Sequence, residues 1–451
     1  MSSTIIEPAR EDPGGVVPGP AARGRQALEL DWSIPTDLTE LLAALDEFIG
    51  RELEPLQRAN PDLFDHRREF TRTDVQRGGI PTVRWRVMLA QARRLSIEAG
   101  FYKYPFPVAL GGRDGSNLAM AIIREHLARR GPGLHAELSH EASVVANEPL
   151  VLVLHEYGTP EQRERYLRPL ADGELAIAFA LTEPGHGSDA TWLESRARRD
   201  GGDWVLDATK RYITGIDVAD SVLVFARTSG QTGKADGITA FLVPVDTPGV
   251  EVPYYHWTFN MPSDHGELIL NSVRVPDSAI LGELDRGLDC AQLFMHENRI
   301  RQAASSLGAA QFCIDHSIEY AKQRMIFGRP LADYQGIQWQ LVELQTEAEL
   351  VRNTLYKTAW EMDQQGGGST RAKLSVTDKV SMVNYRGNRL ACDAADRAMQ
   401  VHGGLGYTRH LPFEYIYRHH RRYRITEGSD ELQLRRIAGR LFGFSSGPSS
   451  R

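Results

Sequence analysis

The hydrophobic period of this chain changes twice, and that alternation limits the folds open to it. From Thr36 to about Asp172 the pattern is helical: Leu38, Leu41, Leu42, Leu45, Phe48 and Ile49 recur at three- and four-residue steps behind a Thr36-Asp37 start signal. Residues 65–114 are less regular. Gly100, Pro105, Pro107, Gly111 and Gly112 break them into a loop before a helix near Leu118 to Arg130. From about Glu174 to Asp285, short runs at Trp204 to Ala208, Val222 to Ala226, Ile238 to Val243 and Leu268 to Val275 alternate with Gly, Asp and Pro clusters. That spacing predicts consecutive antiparallel strands in a small sheet domain. No G-x-G-x-x-G follows any of these runs, so a Rossmann sheet lacks its key feature.

From about Arg299 the helical period returns and is sustained. Ile300, Ala303, Leu307, Ala310, Ile314, Ile318 and Ala321 form one stripe; Leu341, Leu344, Ala348, Val351, Leu355 and Ala359 form another; Arg371 to Met399 forms a third. A Gln364-Gln365-Gly-Gly-Gly-Ser-Thr break separates the last two, and long helices so joined pack antiparallel. The predicted class is α+β. An N-terminal helical domain covers 31–172, a central antiparallel β domain 173–285 and a C-terminal four-helix bundle 286–443, with flexible tails at 1–30 and 444–451.

Composition excludes several functions. A net charge of −7 gives no reason to expect nucleic acid, and the basic run from Arg418 to Arg424 reads as a solvated or subunit-facing surface. Cys290, Cys313 and Cys392 lack metal-ligand spacing and read as reduced, mostly buried thiols. No apolar run is long enough to span a bilayer. The first residues hold no signal-peptide core, and Glu7, Glu11 and Asp12 do not suit a transit peptide, so a cytoplasmic protein is expected.

Four motifs carry chemistry. Phe179-Ala-Leu-Thr-Glu-Pro-Gly-His-Gly-Ser-Asp189 leaves a strand with hydroxyls and unobstructed backbone N–H groups, which suit a flat ring rich in acceptors. Tyr212-Ile213-Thr214 places an aromatic and a hydroxyl at a strand end; alone, such an aromatic is usually core. Arg324-Met-Ile-Phe-Gly328, followed by Gln335, offers a planar guanidinium for phosphate, or simply a helix end capped by Gly328. Gln400-Val-His-Gly-Gly404, then Ile425-Thr-Glu-Gly-Ser-Asp-Glu431, pairs glycines that admit a nucleotide with a Glu-Gly turn. An isolated Glu before Gly is ordinarily a solvated helix-start residue.

Together with the three-part order, these motifs resemble the acyl-CoA dehydrogenase family over about residues 35–443. The resemblance implies FAD. Leu181 and Thr182, on the segment opened by Phe179, would bond the pyrimidine edge of the flavin, with Gly187 and Ser188 near phosphate and the CoA arm. Tyr212, in place of the usual Trp, would cover the ring with Ile213, and Thr214 would reach flavin N5. Arg324, Phe327 and Gln335, with Gln400, Val401, Gly403 and Gly404, would hold the FAD of a neighbouring subunit, which implies a homodimer or a homotetramer built as a dimer of dimers. Ser429 and Glu431 join the cofactor contacts. Ile326 stands where relatives carry a hydroxyl or amide, and His402 reads as structural.

Glu427 matches the family's base. It would remove the substrate α-proton while flavin N5 takes the β-hydride, giving a trans-2-enoyl-CoA. Its backbone N–H and a ribityl hydroxyl would polarise the thioester carbonyl, and a bound acyl chain would raise its pKa by desolvation. Some relatives place the base on the helix opening the bundle; matching Leu307-Gly308 puts Asn298 there, beside Arg299. Asn cannot be a base, and Glu297 faces about 100° away. Ser188, Asn298, Arg299 and Gly428 are the expected substrate contacts, whereas His296 and Gly439, with Arg440 next, depart from the family's CoA pattern. An electron-transfer flavoprotein is the expected electron acceptor. An oxidase, a flavin-dependent monooxygenase lacking base and clamp, and a non-catalytic scaffold are the alternatives. The intact Glu427 argues against the last two. Fatty, branched, aromatic and polyketide-like acyl groups all stay open, on CoA or a carrier protein.

Overall fold

The N-terminal helix α1 (Thr36–Phe48) turns Leu38, Leu45 and Phe48 inward, as its three- and four-residue spacing requires. The computed structural model describes residues 34–136, 144–364 and 376–443. Both expected tails, most of the glycine-rich break and the start of the third stripe lie outside the described residues. Within the stretch expected to be irregular stands a full helix, α2 (Val83–Glu98), which corrects that reading. Thr82 caps it by accepting a hydrogen bond from Trp85 N at 3.3 Å. Trp85, Met88, Ala92 and Ser96 are its buried face, a stripe so narrow between Arg84, Arg86, Arg93 and Arg94 that the period is hard to see. Helices α3 (Asn117–Arg129), capped by Ser116, and α4 (Pro149–Tyr157) follow, with shorter helical turns around them.

The middle of the chain forms one eight-stranded sheet. Its strands are β1 (Ile177–Ala180), β2 (Arg196–Asp200), β3 (Asp203–Ile213), β4 (Ser221–Arg227), β5 (Ile238–Pro244), β6 (Val250–Glu251), β7 (Gly266–Pro276) and β8 (Ile280–Leu281). The order is β8-β5-β4-β2-β3-β7-β6, with β1 beside β4. Most ladders are antiparallel, as the short runs predict. Two pairings are parallel, both onto β4: β1, with Phe179 opposite Leu223, and the start of β2, with Arg196 opposite Arg227. Every residue of β4 is buried, so this pairing sits at the centre of the molecule.

The C-terminal part consists of α5 (Gly287–Gln323), α6 (Gln335–Gln364), α7 (Thr377–Val401), α8 (Phe413–Tyr423) and α9 (Asp430–Leu441). Ala303, Leu307, Ala310 and Ile314 of α5 pack against Leu355 and Ala359 of α6 and Val380 and Leu390 of α7. Gly308 lets α3 cross α5 closely, since a side chain there would strike Glu125 O. The basic run lies on and just after α8, and two of its arginines pair within the chain: Arg418 with Glu414 at 2.7 Å and Arg424 with Asp430 at 3.0 Å. The three cysteines are free and buried. No helix of the described residues is long and apolar enough to cross a membrane.

Candidate active site

The turn between α8 and α9 holds its backbone in a conformation that side chains disfavour. Glu427 has φ +56° and Gly428 φ +96°. Six non-glycine residues have positive φ among the described residues, and three of them, Tyr212, Phe327 and Glu427, were singled out from sequence. A left-handed non-glycine residue costs about 1–2 kcal/mol, so it persists only where its surroundings fix it.

At Glu427 the fixing groups are explicit. Arg299 Nε and Nη2 donate to the Glu427 carbonyl at 2.8 and 2.6 Å. Gln433 Nε2 donates to the carbonyls of Glu427 at 3.2 Å and Gly428 at 2.8 Å. Asn298 Nδ2 donates to Glu427 Oε1 at 3.2 Å. The three residues Asn298, Arg299 and Glu427, distant in sequence, are thus brought together. Ser429, expected among the cofactor contacts, caps α9 by accepting from Leu432 N at 3.4 Å; Glu431 is exposed on the first turn. Asp430 anchors the turn to Arg389 at 2.8 Å and Arg424 at 3.0 Å.

A second guanidinium, unforeseen from sequence, flanks the same carboxylate. Arg436 lies three residues beyond Gln433 and therefore on the same side of α9. Burial pulls its pKa down, and the charge of Glu427 opposes that pull. Arg299 is likewise brought down to about 9, by burial first and then by Arg436, so it stays charged at neutral pH. Asn298 Oδ1, Arg299 Nη1, Gln433 Oε1 and Arg436 Nη1 are buried with no hydrogen-bond partner among the described residues. Buried polar atoms are nearly always paired, so four orphans around one carboxylate mark a place where a ligand supplies the missing partners.

The exit of β1 is built around an internal ion pair. Glu183 is buried and accepts from Lys210 Nζ at 2.8 Å and Ser195 N at 3.0 Å, and from the Ser195 hydroxyl. Lys210 also donates to Leu181 O at 3.2 Å. Burial brings Lys210 down to about 8 against the pull of Glu183. Burial works to raise Glu183, yet the charge of Lys210 and these hydrogen bonds outweigh it and hold the carboxyl below its usual range. Glu183 in the Thr-Glu-Pro-Gly segment is therefore an anchor, a role the sequence reading passed over. Arg211 N donates to Thr182 O at 2.9 Å, which sets Leu181 and Thr182 beside the end of β3, where Tyr212, Ile213 and Thr214 stand. Tyr212 is 54% exposed, its ring 4.6 Å from that of His256. Gly187, Ser188 and Thr214 are exposed, and Thr182 half-buried. An aromatic ring, three accessible hydroxyls and a glycine-opened loop form a ledge whose donors fit an acceptor-rich flavin. Phe179 stacks on Phe294 of α5 at 4.1 Å, and Phe294 is one helical turn from Asn298. The ledge and Glu427 thus meet the same face of α5.

The remaining predicted contacts assemble elsewhere. Arg324 caps the far end of α5, Phe327 is 95% exposed, Gln335 opens α6 and Gln400 and Val401 close α7 before Gly403 and Gly404. Ala321, Leu331 and Val401 pack these ends together. His402 is held in place by Tyr320 at 4.2 Å and Phe413 at 4.7 Å, with Nδ1 2.8 Å from Ala398 O. Asn298 and Arg324 sit roughly 26 residues apart on one helix, about 39 Å at 1.5 Å per residue.

Three family models match in sequence order: acyl-CoA dehydrogenase, N-terminal domain at residues 37–174, middle domain at 178–273 and C-terminal domain at 285–442. The chain is 34% identical to a 3-(aryl)acrylate reductase of Clostridium sporogenes over 90% of its own length and 99% of the relative's. It is 33% identical to the caffeyl-CoA reductase-Etf complex subunit CarC of Acetobacterium woodii, over 76% and 87% of the two chains. Its fold superposes on a solved acyl-CoA dehydrogenase of Geobacillus kaustophilus with a TM-score of 0.74 at 27% identity, covering 91% of this chain and 99% of that one. Domains matched from end to end, together with relatives aligned over most of their length, place the chain in the acyl-CoA dehydrogenase family, FAD-dependent oxidoreductases acting on CH–CH bonds.

Proposed function

We propose that this enzyme catalyses α,β-dehydrogenation of an acyl-CoA thioester and that Glu427 removes the α-proton. The observation carrying this reading is the fixing of Glu427: Asn298 orients its carboxylate while Arg299 and Gln433 lock its backbone, on the α5 face that also meets the flavin ledge. Bound FAD would supply the acceptor for the β-hydrogen and its electron pair. The chain's own residues do the rest. Glu427 takes the proton, and the positive charges of Arg299 and Arg436 favour its ionised form and stabilise negative charge developing on the substrate. Arg299, through the backbone carbonyl it holds, is a positioning residue as well. No second carboxylate competes for the role at the family's alternative position, because Asn298 occupies it.

The names of the two reductase relatives favour a second reading, in which the same site runs the reaction toward the saturated thioester of an arylacrylic acid. The Etf complex named for one of them supports an electron-transfer flavoprotein as the redox partner in either direction. Arg324, Phe327, Gln335, Gln400, Gly403 and Gly404 are exposed, with Val401 and His402 buried behind them, which supports a homodimer or dimer of dimers in which each subunit clamps its neighbour's FAD. Three free, buried thiols fit a reducing cytoplasm.

The test is anaerobic mixing of the FAD-loaded enzyme with a panel of acyl-CoAs, read by loss of oxidised-flavin absorbance. Bleaching is expected with the wild type and is expected to fall by about a thousandfold or more in Glu427→Gln, as removal of a positioned base requires. Bleaching undiminished in that variant overturns the assignment of the base.

A further inference from the structure

The strand that carries Tyr212 breaks its own alternation just before it. Trp204, Leu206, Ala208 and Lys210 of β3 are buried, yet Tyr212, next in that series, is turned outward and Ile213 is buried in its place. The cause is a bulge. Lys210 stands opposite Leu268 of β7 and Ile213 opposite Gly266, so Arg211 and Tyr212 together face the single residue Glu267. The extra residue shifts the pleat by one position, and Tyr212 absorbs it with φ +61°. A bulge re-aims a side chain; what holds the exposed ring has to come from its neighbours.

Glu267 organises those neighbours. It is 5% exposed and accepts from Arg211 Nε at 2.9 Å and Nη2 at 3.2 Å. Its Oε2 also lies 3.2 Å from Nε2 of His256. Burial works to raise the Glu267 carboxyl, but the hydrogen bonds from Arg211 and His256 outweigh it and hold the group below its usual range. An ionised carboxylate only accepts, so Nε2 of His256 carries the hydrogen. The imidazole so held is 4.6 Å from the Tyr212 ring and 4.9 Å from the Tyr254 ring, which meets it edge-on at 68°. Its backbone is pinned too: His256 N donates to His265 O at 2.8 Å, and Glu267 N to Tyr254 O at 3.0 Å. Arg211 is 6.0 Å from the centre of the Tyr212 ring and turned onto Glu267, so the imidazole makes the closer contact. An exposed side chain without such backing samples several rotamers. Resting on the flavin ledge of the reading above, we propose that His256 is a positioning residue: held by Glu267, its ring backs the bulged Tyr212 and keeps the phenol against the flavin.

The experiment reads flavin fluorescence per bound FAD in the loaded full-length protein, with free FAD removed and no substrate added. A phenol in contact with an excited flavin gives up an electron to it and quenches the emission; a phenyl ring does not. The wild type is expected to be dark and Tyr212→Phe severalfold brighter. His256→Leu is expected to brighten to a similar degree at unchanged FAD content, because Tyr212 is present but no longer held. His256→Phe returns a flat ring between the tyrosines and is expected to restore most of the quenching. A histidine that serves folding alone would lower stability or FAD content and leave the emission per flavin where it was. The inference is overturned if Tyr212→Phe is bright while His256→Leu stays dark, or if His256→Phe is as bright as His256→Leu. Should His256→Leu not fold or not retain FAD, His256→Gln, which keeps a donor toward Glu267 and loses the ring, is read by the same criterion. A dark Tyr212→Phe sinks the aromatic ledge and this inference together. It leaves the base untouched, since Glu427 is tested by bleaching and not by emission.

Discussion

At the scale of single residues, the base is surrounded by more positive charge than its own carboxylate cancels. Arg299 also holds the Glu427 backbone through its carbonyl, so Arg436 is the guanidinium whose charge can be removed without unpinning that turn. Replacing it with methionine keeps most of the volume and removes the charge. A carboxylate that loses a nearby cation ionises less readily, so its pKa rises. Arg436→Met is therefore expected to move the acid limb of the kcat/KM profile upward, with the alkaline limb in place. An unmoved acid limb would show that Arg436 does not act on the base. Glu427, Asn298 and Arg299 could be found in the sequence because a motif marks the first and a Leu-Gly landmark counts back to the other two. Arg436 could not: among the arginines of α9 nothing in the one-dimensional pattern distinguishes the one that turns inward.

At the scale of elements, the ledge depends on a buried pair that joins two strands. Glu183 follows β1 and Lys210 belongs to β3, and Lys210 touches Leu181 O as well. Removing one partner of a buried ion pair leaves the other charged in a dry site, at a cost of about 3–5 kcal/mol. Glu183→Ala is expected to lose that much stability in denaturant unfolding and to purify with little FAD, because Leu181 and Thr182 lose the support that aims them. Full flavin content in this variant would assign the pair to folding alone. The sequence located the strand exit correctly but gave Glu183 no function, since only the pairing of β1 beside β4 brings Lys210 underneath it. The parallel course of β1 was equally illegible: alternating patterns specify strands, whereas direction depends on which strands become neighbours. Helix α2 was missed for a local reason, a four-residue apolar stripe among arginines.

At the scale of the molecule, one long helix decides the arrangement. Because α5 carries Asn298 near its start and Arg324 at its end, the proposed function gives each chain two incomplete sites, one with the proposed base and ledge and one with the proposed clamp. In a two-fold dimer that pairs unlike ends, each complete site draws base and ledge from one subunit and clamp from the other. This makes a complementation experiment decisive. Glu427→Gln homodimers lack the base at both sites, and Arg324→Glu homodimers lack the clamp at both; each is expected to be nearly inactive. Co-expressed in equal amounts, the two form mixed dimers in about half of the pairings. In such a dimer one site combines the native base of the Arg324→Glu chain with the native clamp of the Glu427→Gln chain, and the other site carries both defects. One working site in half of the dimers returns about a quarter of wild-type activity, with a quarter of the reducible flavin. If base and clamp act within a single chain, no pairing restores a site and the mixture stays inactive. Recovery near a quarter therefore requires subunits to share the cofactor, and its absence would refute that arrangement while leaving the base itself in place.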